Sequence, residues 1–237
     1  MRAATPNERP SSERGRLSVD IRIVEDPARA AAELLAEHAR AGANLALSGG
    51  GTVGRAYATA ARLQPRWRDV HAWFGDERAV RPSDERSNYR LVREKLVDAL
   101  AVPPEVHRVR GELPAEEAAA LYSEELAGIT LDLALNGIGP DGHTASLFPG
   151  SPALAETDRR AVAAEAGLEP LVPRVTLTTP MFGSCGLLVY LVSGDAKADA
   201  VRRAFAAEPS AETPASLVRG RATVALLDRA AASLLDG

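Results

Sequence analysis

The residues best suited to chemistry fall in four short stretches. The densest is Asn136-Gly137-Ile138-Gly139-Pro140-Asp141-Gly142-His143-Thr144, which follows the apolar run Leu131–Leu135. A histidine changes protonation near neutral pH, so His143 is a candidate general base or acid. The glycines beside it let the backbone turn sharply and approach a ligand closely. Ser48-Gly49-Gly50-Gly51-Thr52 is the second stretch. It lies between a short apolar run and a helical pattern, the layout that presents backbone N–H groups and a helix N-terminus to an anion. The hydroxyls of Ser48 and Thr52 can assist. Asp76-Glu77-Arg78 is the third, with Ser87-Asn88-Tyr89 shortly after it. A carboxylate pair beside a guanidinium can orient a substrate and bind its oxygens. The fourth is Ser193-Gly194-Asp195-Ala196-Lys197. Lys197 opens a helix, where a positive charge is poorly placed for helix stability. That misfit is expected of a lysine that binds an anion.

Other chemistries find little support. The histidines, His38, His71, His107 and His143, are far apart in sequence and show no H-x-H or HExxH spacing, so no metal is expected. The glycine loop lacks the lysine of a P-loop and is not the dinucleotide pattern, and no cofactor is expected. There is no G-x-S-x-G nucleophile elbow. The net charge of -4 and an aromatic content of 4% argue against nucleic acid and acidic membranes as partners. Cys185 is the only cysteine, which excludes an intrachain disulfide and fits a reducing, cytoplasmic compartment. No stretch reads as a signal peptide or a membrane span.

The elements that must position these residues alternate along the chain. Residues 1–17 are rich in Arg, Ser and Pro and read as a disordered tail. Residues 18–237 read as one domain. Strands are predicted at Val19–Val24, Leu45–Leu47, Val70–Gly75, Val106–Val109, Leu131–Leu135, Arg174–Thr178, Gly186–Val192 and Thr223–Leu227. Gly186–Val192 is the most apolar and is expected to be central. Helices are predicted after Asp26-Pro27, over Thr52–Ala61, after Ser87, over Pro114–Leu126, from Thr179-Pro180, from Lys197 to about Ala206, and over Arg229–Leu235 behind Asp228. Ser151–Leu171 is irregular and reads as a flexible flap. His38 and His71 share faces with apolar residues and read as structural. This alternation predicts an α/β fold, a single Rossmann-like domain with a mostly parallel sheet flanked by helices. Ligands of such sheets bind beyond the carboxyl ends of the strands, where all four stretches begin.

Four blocks resemble the 6-phosphogluconolactonases: SGGGT at Ser48–Thr52, WFGDERAVRPSDERSNY at Trp73–Tyr89, NGIGPDGHTASLFPG at Asn136–Gly150, and Arg174–Lys197 with RVTLT and SGDAK at its ends. Pro214–Asp228 is similar to the end of that family too. The related glucosamine-6-phosphate deaminases share the fold and a DGH loop. They place a glutamate where this chain has Phe148, and Asp-Glu-Tyr where it has Asp76-Glu77-Arg78. The resemblance implies hydrolysis of 6-phospho-D-glucono-1,5-lactone with no metal or cofactor, by a monomer or weak homodimer. His143 is then the general base on water, with Asp141 or Asp76 orienting its ring. Arg78, or the N–H groups near Gly139–Gly142, would meet the oxyanion. Ser48, Gly49, Gly50, Gly51 and Thr52 would cradle the phosphate, with Lys197 and Arg174 supplying charge and Asn88 binding a hydroxyl. A deaminase or isomerase, and a phosphosugar-binding regulator without turnover, are the alternatives.

Overall fold

The computed structural model describes residues 18–235, so the tail expected over residues 1–17 lies outside the described residues. The first strand, β1 (Val19–Ile23), leads into helix α1 (Pro27–His38). Asp26 caps this helix, accepting from the Ala28 and Arg29 N–H groups at 3.1 Å, and Pro27 needs no partner in the first turn. Then follow β2 (Asn44–Leu47), α2 (Gly51–Leu63), β3 (His71–Phe74), β4 (Asp76–Arg78), α3 (Asn88–Lys95), β5 (Glu105–Val106) and α4 (Ala115–Glu125). The second half runs through β6 (Leu133–Asn136), β7 (Ala161–Ala164), β8 (Arg174–Leu177), α5 (Thr179–Gly183), β9 (Leu187–Val192), α6 (Ala198–Phe205) and β10 (Ala222–Leu227).

Seven strands form a wholly parallel sheet in the order β1-β10-β9-β6-β2-β3-β5. From β2 the chain builds outward through β3 and β5 to one edge. It then returns to the other side of β2 and builds through β6, β9 and β10. The order therefore reverses between β2 and β6. Two connections leave a parallel sheet in opposite directions at such a point and open a crevice beyond the carboxyl ends of the strands. The middle strand is β6, not the more apolar β9, and every residue of β6 is buried. Helix α1 packs against α2 and onto β6, β9 and β10. No helix among the described residues is long and apolar enough to cross a membrane.

Several expectations change. Ser151–Leu171 is not a free flap: it contributes β7, which joins β8 and β4 in a three-stranded antiparallel sheet packed against α4. Its alanine-rich strand has little propensity of its own and is fixed by these partners. Thr178, one residue earlier than expected, caps α5. Arg229–Leu235 forms turns rather than a helix, and Asp228 accepts from both Gly194 and Ala231 N–H groups. Finally, His71 and His107 are neighbours, because β3 and β5 pair in parallel, so sequence distance was no guide to whether the histidines meet.

Candidate active site

A cavity of about 410 Å³ opens at the crevice between β2 and β6. That is a size suited to a small molecule. Its walls come from the ends of β2, β3, β6 and β9, so all four chemically interesting stretches contribute to it.

Beyond β2, Ser48 and the three glycines turn into α2, whose first residues Gly51, Thr52 and Val53 line the cavity. Gly50 has φ 118°, a conformation that glycine adopts without penalty. No side chain caps α2, which leaves its first N–H groups facing the cavity as an anion site. The Tyr57 hydroxyl bonds both Ser48 N and Ser48 O at 2.8 Å and fixes the start of the loop. Gly49 admits a close neighbour, since a Cβ there would fall on the Asn88 carboxamide and touch the Arg78 guanidinium. Arg78 and Asn88 therefore lie against the glycine loop.

The Asp76–Asn88 wall is organised by Glu77. Its buried carboxylate accepts from Arg78 N at 2.7 Å, Asn88 N at 2.7 Å, Tyr89 N at 2.8 Å and Ser87 Oγ at 3.0 Å. Burial pushes this carboxyl up, against the downward pull of those backbone N–H groups. Glu77 is thus a scaffold, not a substrate ligand. Asp76 lines the cavity and accepts from Asn88 Nδ2 at 3.1 Å and Ser146 Oγ at 2.6 Å. Arg78 donates to Arg86 O at 3.0 Å and to Asn88 Oδ1.

On the opposite wall, His143 Nδ1 lies 2.6 Å from Asp141 Oδ1. A carboxylate only accepts, so the proton of this bond sits on Nδ1 and the lone pair is left on Nε2. Burial works to raise the Asp141 carboxyl, but the hydrogen bond and charge of His143 outweigh it and hold it below the ordinary range. Asp141, not Asp76, orients the ring. The loop closes on itself through Gly139 N to His143 O at 2.9 Å and Gly142 N to Gly139 O at 3.0 Å. Those two N–H groups are engaged and Pro140 has none, which leaves few donors in this loop for an oxyanion. Ala145 lines the cavity in the left-handed region, φ 50°, at a cost of roughly 1–2 kcal/mol. Its neighbours hold it there: Thr144 Oγ1 donates to Gly137 O at 3.0 Å, and Ser146 reaches Asp76.

Lys197 lines the cavity. Burial pulls its ammonium below the ordinary lysine range, against the raising charge of Asp141. Arg174 does not reach the cavity, contrary to expectation. It is 3% exposed, pairs with Arg78 across β8 and β4, and donates to Pro170 O at 2.8 Å. It braces the segment whose Leu168 and Glu169 form part of the wall.

Three side chains were given no role in the sequence reading. Arg203 clamps the histidine loop, donating to Pro140 O and Asp141 O at 3.1 Å. Tyr57 does the same for the glycine loop. Ser193, at the end of β9, lines the cavity with a buried hydroxyl that has no partner among the described residues. Ser48 Oγ and Arg78 Nε are in the same condition. Each such group costs about 1–3 kcal/mol, and their gathering round one cavity is what a polar ligand would offset. Only Ser193 carried a signal in sequence, as the first residue of the SGDAK block.

Comparison with known proteins agrees with this fold. The family model described as glucosamine-6-phosphate isomerases/6-phosphogluconolactonase matches residues 19–226. A 6-phosphogluconolactonase of Mycobacterium tuberculosis is 37% identical over 217 residues, covering 83% of this chain and 87% of its own. One from Streptomyces coelicolor is 33% identical over 221 residues, covering 84% and 85%. Among solved structures, a 6-phosphogluconolactonase from Thermotoga maritima superposes with a TM-score of 0.77 at 30% identity, over 89% of this chain and 100% of its own. A monomeric glucosamine-6-phosphate deaminase shares the fold, with a TM-score of 0.79 at 21% identity over 92% and 99%. The chain therefore belongs to the glucosamine-6-phosphate isomerase/6-phosphogluconolactonase family.

Proposed function

We propose that this chain hydrolyses 6-phospho-D-glucono-1,5-lactone to 6-phospho-D-gluconate, the lactone-opening step of the oxidative pentose phosphate route, with His143 as general base. The observation that carries the mechanism is the 2.6 Å bond from His143 Nδ1 to Asp141, made by a ring that lines the same cavity as the glycine loop and Arg78. Curated relatives at 33–37% identity over more than four fifths of this chain are 6-phosphogluconolactonases, which supports the substrate.

A lactone is an activated ester, so a positioned water and a base suffice. Nε2 of His143 takes a proton from water as its oxygen bonds to the lactone carbonyl carbon. The tetrahedral intermediate then collapses, the bond from that carbon to the ring oxygen breaks, and the imidazolium returns the proton to the departing oxygen. Asp141 holds the ring in the required tautomer and favours the imidazolium. Arg78 and the N-terminus of α2 receive the phosphate, since Arg78 lies against Gly49. Anchoring the phosphate there fixes the carbonyl near His143. Lys197, within reach of the charge of Asp141, favours the anionic substrate and the developing oxyanion alike. Asn88 binds a substrate hydroxyl.

The deaminase reading is the weaker one. The position where that subfamily places a glutamate holds Phe148, whose ring packs 4.6 Å from that of His143 and offers no proton relay. The test is hydrolysis of freshly generated lactone by wild type and His143→Ala, with spontaneous opening subtracted. Loss of roughly 10²–10⁴-fold in the variant is expected. Background rates for the wild type would sink the lactonase reading. Equal fast rates would move the base elsewhere.

A further inference from the structure

Away from the cavity, the free edge of the parallel sheet gathers two histidines and a glutamate. The register of β3 and β5 sets His71 opposite Glu105 and Ala72 opposite Val106. His107 continues β5 beside Trp73 and donates its N–H to Ala72 O at 2.9 Å. Its imidazole stacks on the Trp73 ring, with centroids 4.0 Å apart and planes 8° from parallel, so its orientation is set by packing. His71 Nδ1 faces His107 Nε2 at 3.0 Å. The Glu105 carboxylate offers one oxygen to each ring, at 3.5 Å from His71 Nδ1 and 3.7 Å from His107 Nε2.

We propose that His71, Glu105 and His107 form a binding site for a divalent transition-metal ion, with zinc as the best fit. Bonds of about 2.0–2.1 Å to imidazole nitrogen and carboxylate oxygen make a tetrahedron with edges of roughly 3.4 Å. The two nitrogens lie 3.0 Å apart, one Glu105 oxygen lies 3.5 Å from His71 Nδ1 and the other 3.7 Å from His107 Nε2, so a turn of the carboxylate brings one oxygen within reach of an ion held by both rings. Two nitrogens and one oxygen select zinc, cobalt, nickel or copper over magnesium and calcium, which require oxygen shells. The side chains of His71 and Glu105 are 33% and 67% exposed, which gives an ion access and leaves a fourth position for water. The alternative arrangement, one proton shared between two neutral imidazoles, uses the carboxylate for neither ring, since both separations exceed a hydrogen bond.

The site lies at the start of β3, whereas Asp76 of the cavity follows the end of that strand. At about 3.3 Å per residue the two are on the order of 15 Å apart. An ion here would not touch the substrate. It would tie β5, a two-residue edge strand, to β3 and protect the edge from fraying. The inference is independent of the lactonase reading.

The experiment is titration of untagged, chelator-treated protein with zinc by calorimetry and with cobalt by visible absorption, alongside thermal unfolding. The expected result is one equivalent bound at micromolar concentration, cobalt bands of a four-coordinate site, and a higher melting temperature with zinc. His71→Asn and Glu105→Gln, both at accessible positions, should each weaken binding by more than the roughly 10–100-fold that loss of an outer-shell partner costs. His143→Ala should bind as wild type does. No binding at millimolar zinc, or binding that survives His71→Asn and disappears in His143→Ala, would overturn the proposal.

Discussion

The two walls of the cavity are built in opposite ways. The histidine wall is largely local, with the Arg203 clamp on Pro140 O and Asp141 O as its long-range support. Asp141 and His143 are two residues apart, and hydrogen bonds among Gly137, Gly139, Gly142, His143 and Thr144 close the loop on itself. The facing wall is assembled at range. Glu77 collects donors from Arg78 and from Ser87, Asn88 and Tyr89 ten to twelve positions on, while Asp76 meets Ser146 seventy residues away. A local loop carries its own geometry and needs the fold mainly as a place to stand. A wall made of long-range bonds has no geometry until the fold is complete. Substitutions in the first should therefore damage catalysis while sparing stability, and substitutions in the second should damage both.

The largest effect expected is on the long-range wall. Glu77→Ala would strand three backbone N–H groups and the Ser87 hydroxyl, each costing about 1–3 kcal/mol where it stays buried. Some would find water, so a total loss of about 3–5 kcal/mol is expected, measured by urea unfolding, together with a raised KM as Arg78 and Asn88 lose their anchor. A fully stable variant would show that the wall does not depend on this carboxylate.

Gly139→Ala is the matching change on the local wall. A Cβ at this position would fall on the His143 ring and crowd the Asp141 carboxylate. A displacement of about 1 Å at the base costs on the order of 10² in rate, close to 2.7 kcal/mol. The melting temperature should stay within a few degrees of wild type, since the group displaced is the part-exposed His143 side chain rather than the core. Full activity would mean that the ring is not held where the Asp141 bond puts it.

Lys197→Ala tests the charge that both walls share. Its half-buried ammonium has no hydrogen-bond partner among the described residues, so the fold should not miss it. Loss of a charge-assisted bond of about 1.5–3 kcal/mol predicts a 10- to 100-fold fall in kcat/KM with unchanged unfolding. A pure rise in KM would place it on the phosphate, and an equal fall in kcat would place it on the transition state.

The same division explains what could be read in the sequence. The parallel sheet was legible because apolar runs such as Leu133–Asn136 and Leu187–Val192 are buried on both faces. The Asp26 and Ser87 caps and the glycine loop before α2 depend only on near neighbours, and so do Asp141 and His143. Arg174 was misjudged because its charge is visible in sequence and its burial beside Arg78 is not. The antiparallel sheet was missed because β7, Ala161-Val162-Ala163-Ala164, is held by α4 and β8 rather than by its own propensity. Arg203, Tyr57 and the meeting of His71 with His107 were invisible for the same reason: the contact partner is brought in by topology.

One bond joins the two walls directly, from Ser146 Oγ to Asp76 Oδ2 at 2.6 Å. Ser146→Ala removes it with almost no change in volume. A buried hydrogen bond to a charged group contributes about 1.5–3 kcal/mol, so unfolding should shift by an amount near the lower end, because Asn88 still donates to Asp76. The rate is the sharper reading. If the histidine loop is self-supporting, kcat should fall by no more than a few-fold, and the pH dependence of kcat, which reports groups in the substrate complex, should keep its wild-type midpoint. A large fall in kcat with a displaced midpoint would mean that Asp76 positions His143 through Ser146 and Ala145, and that the histidine wall too is held at range.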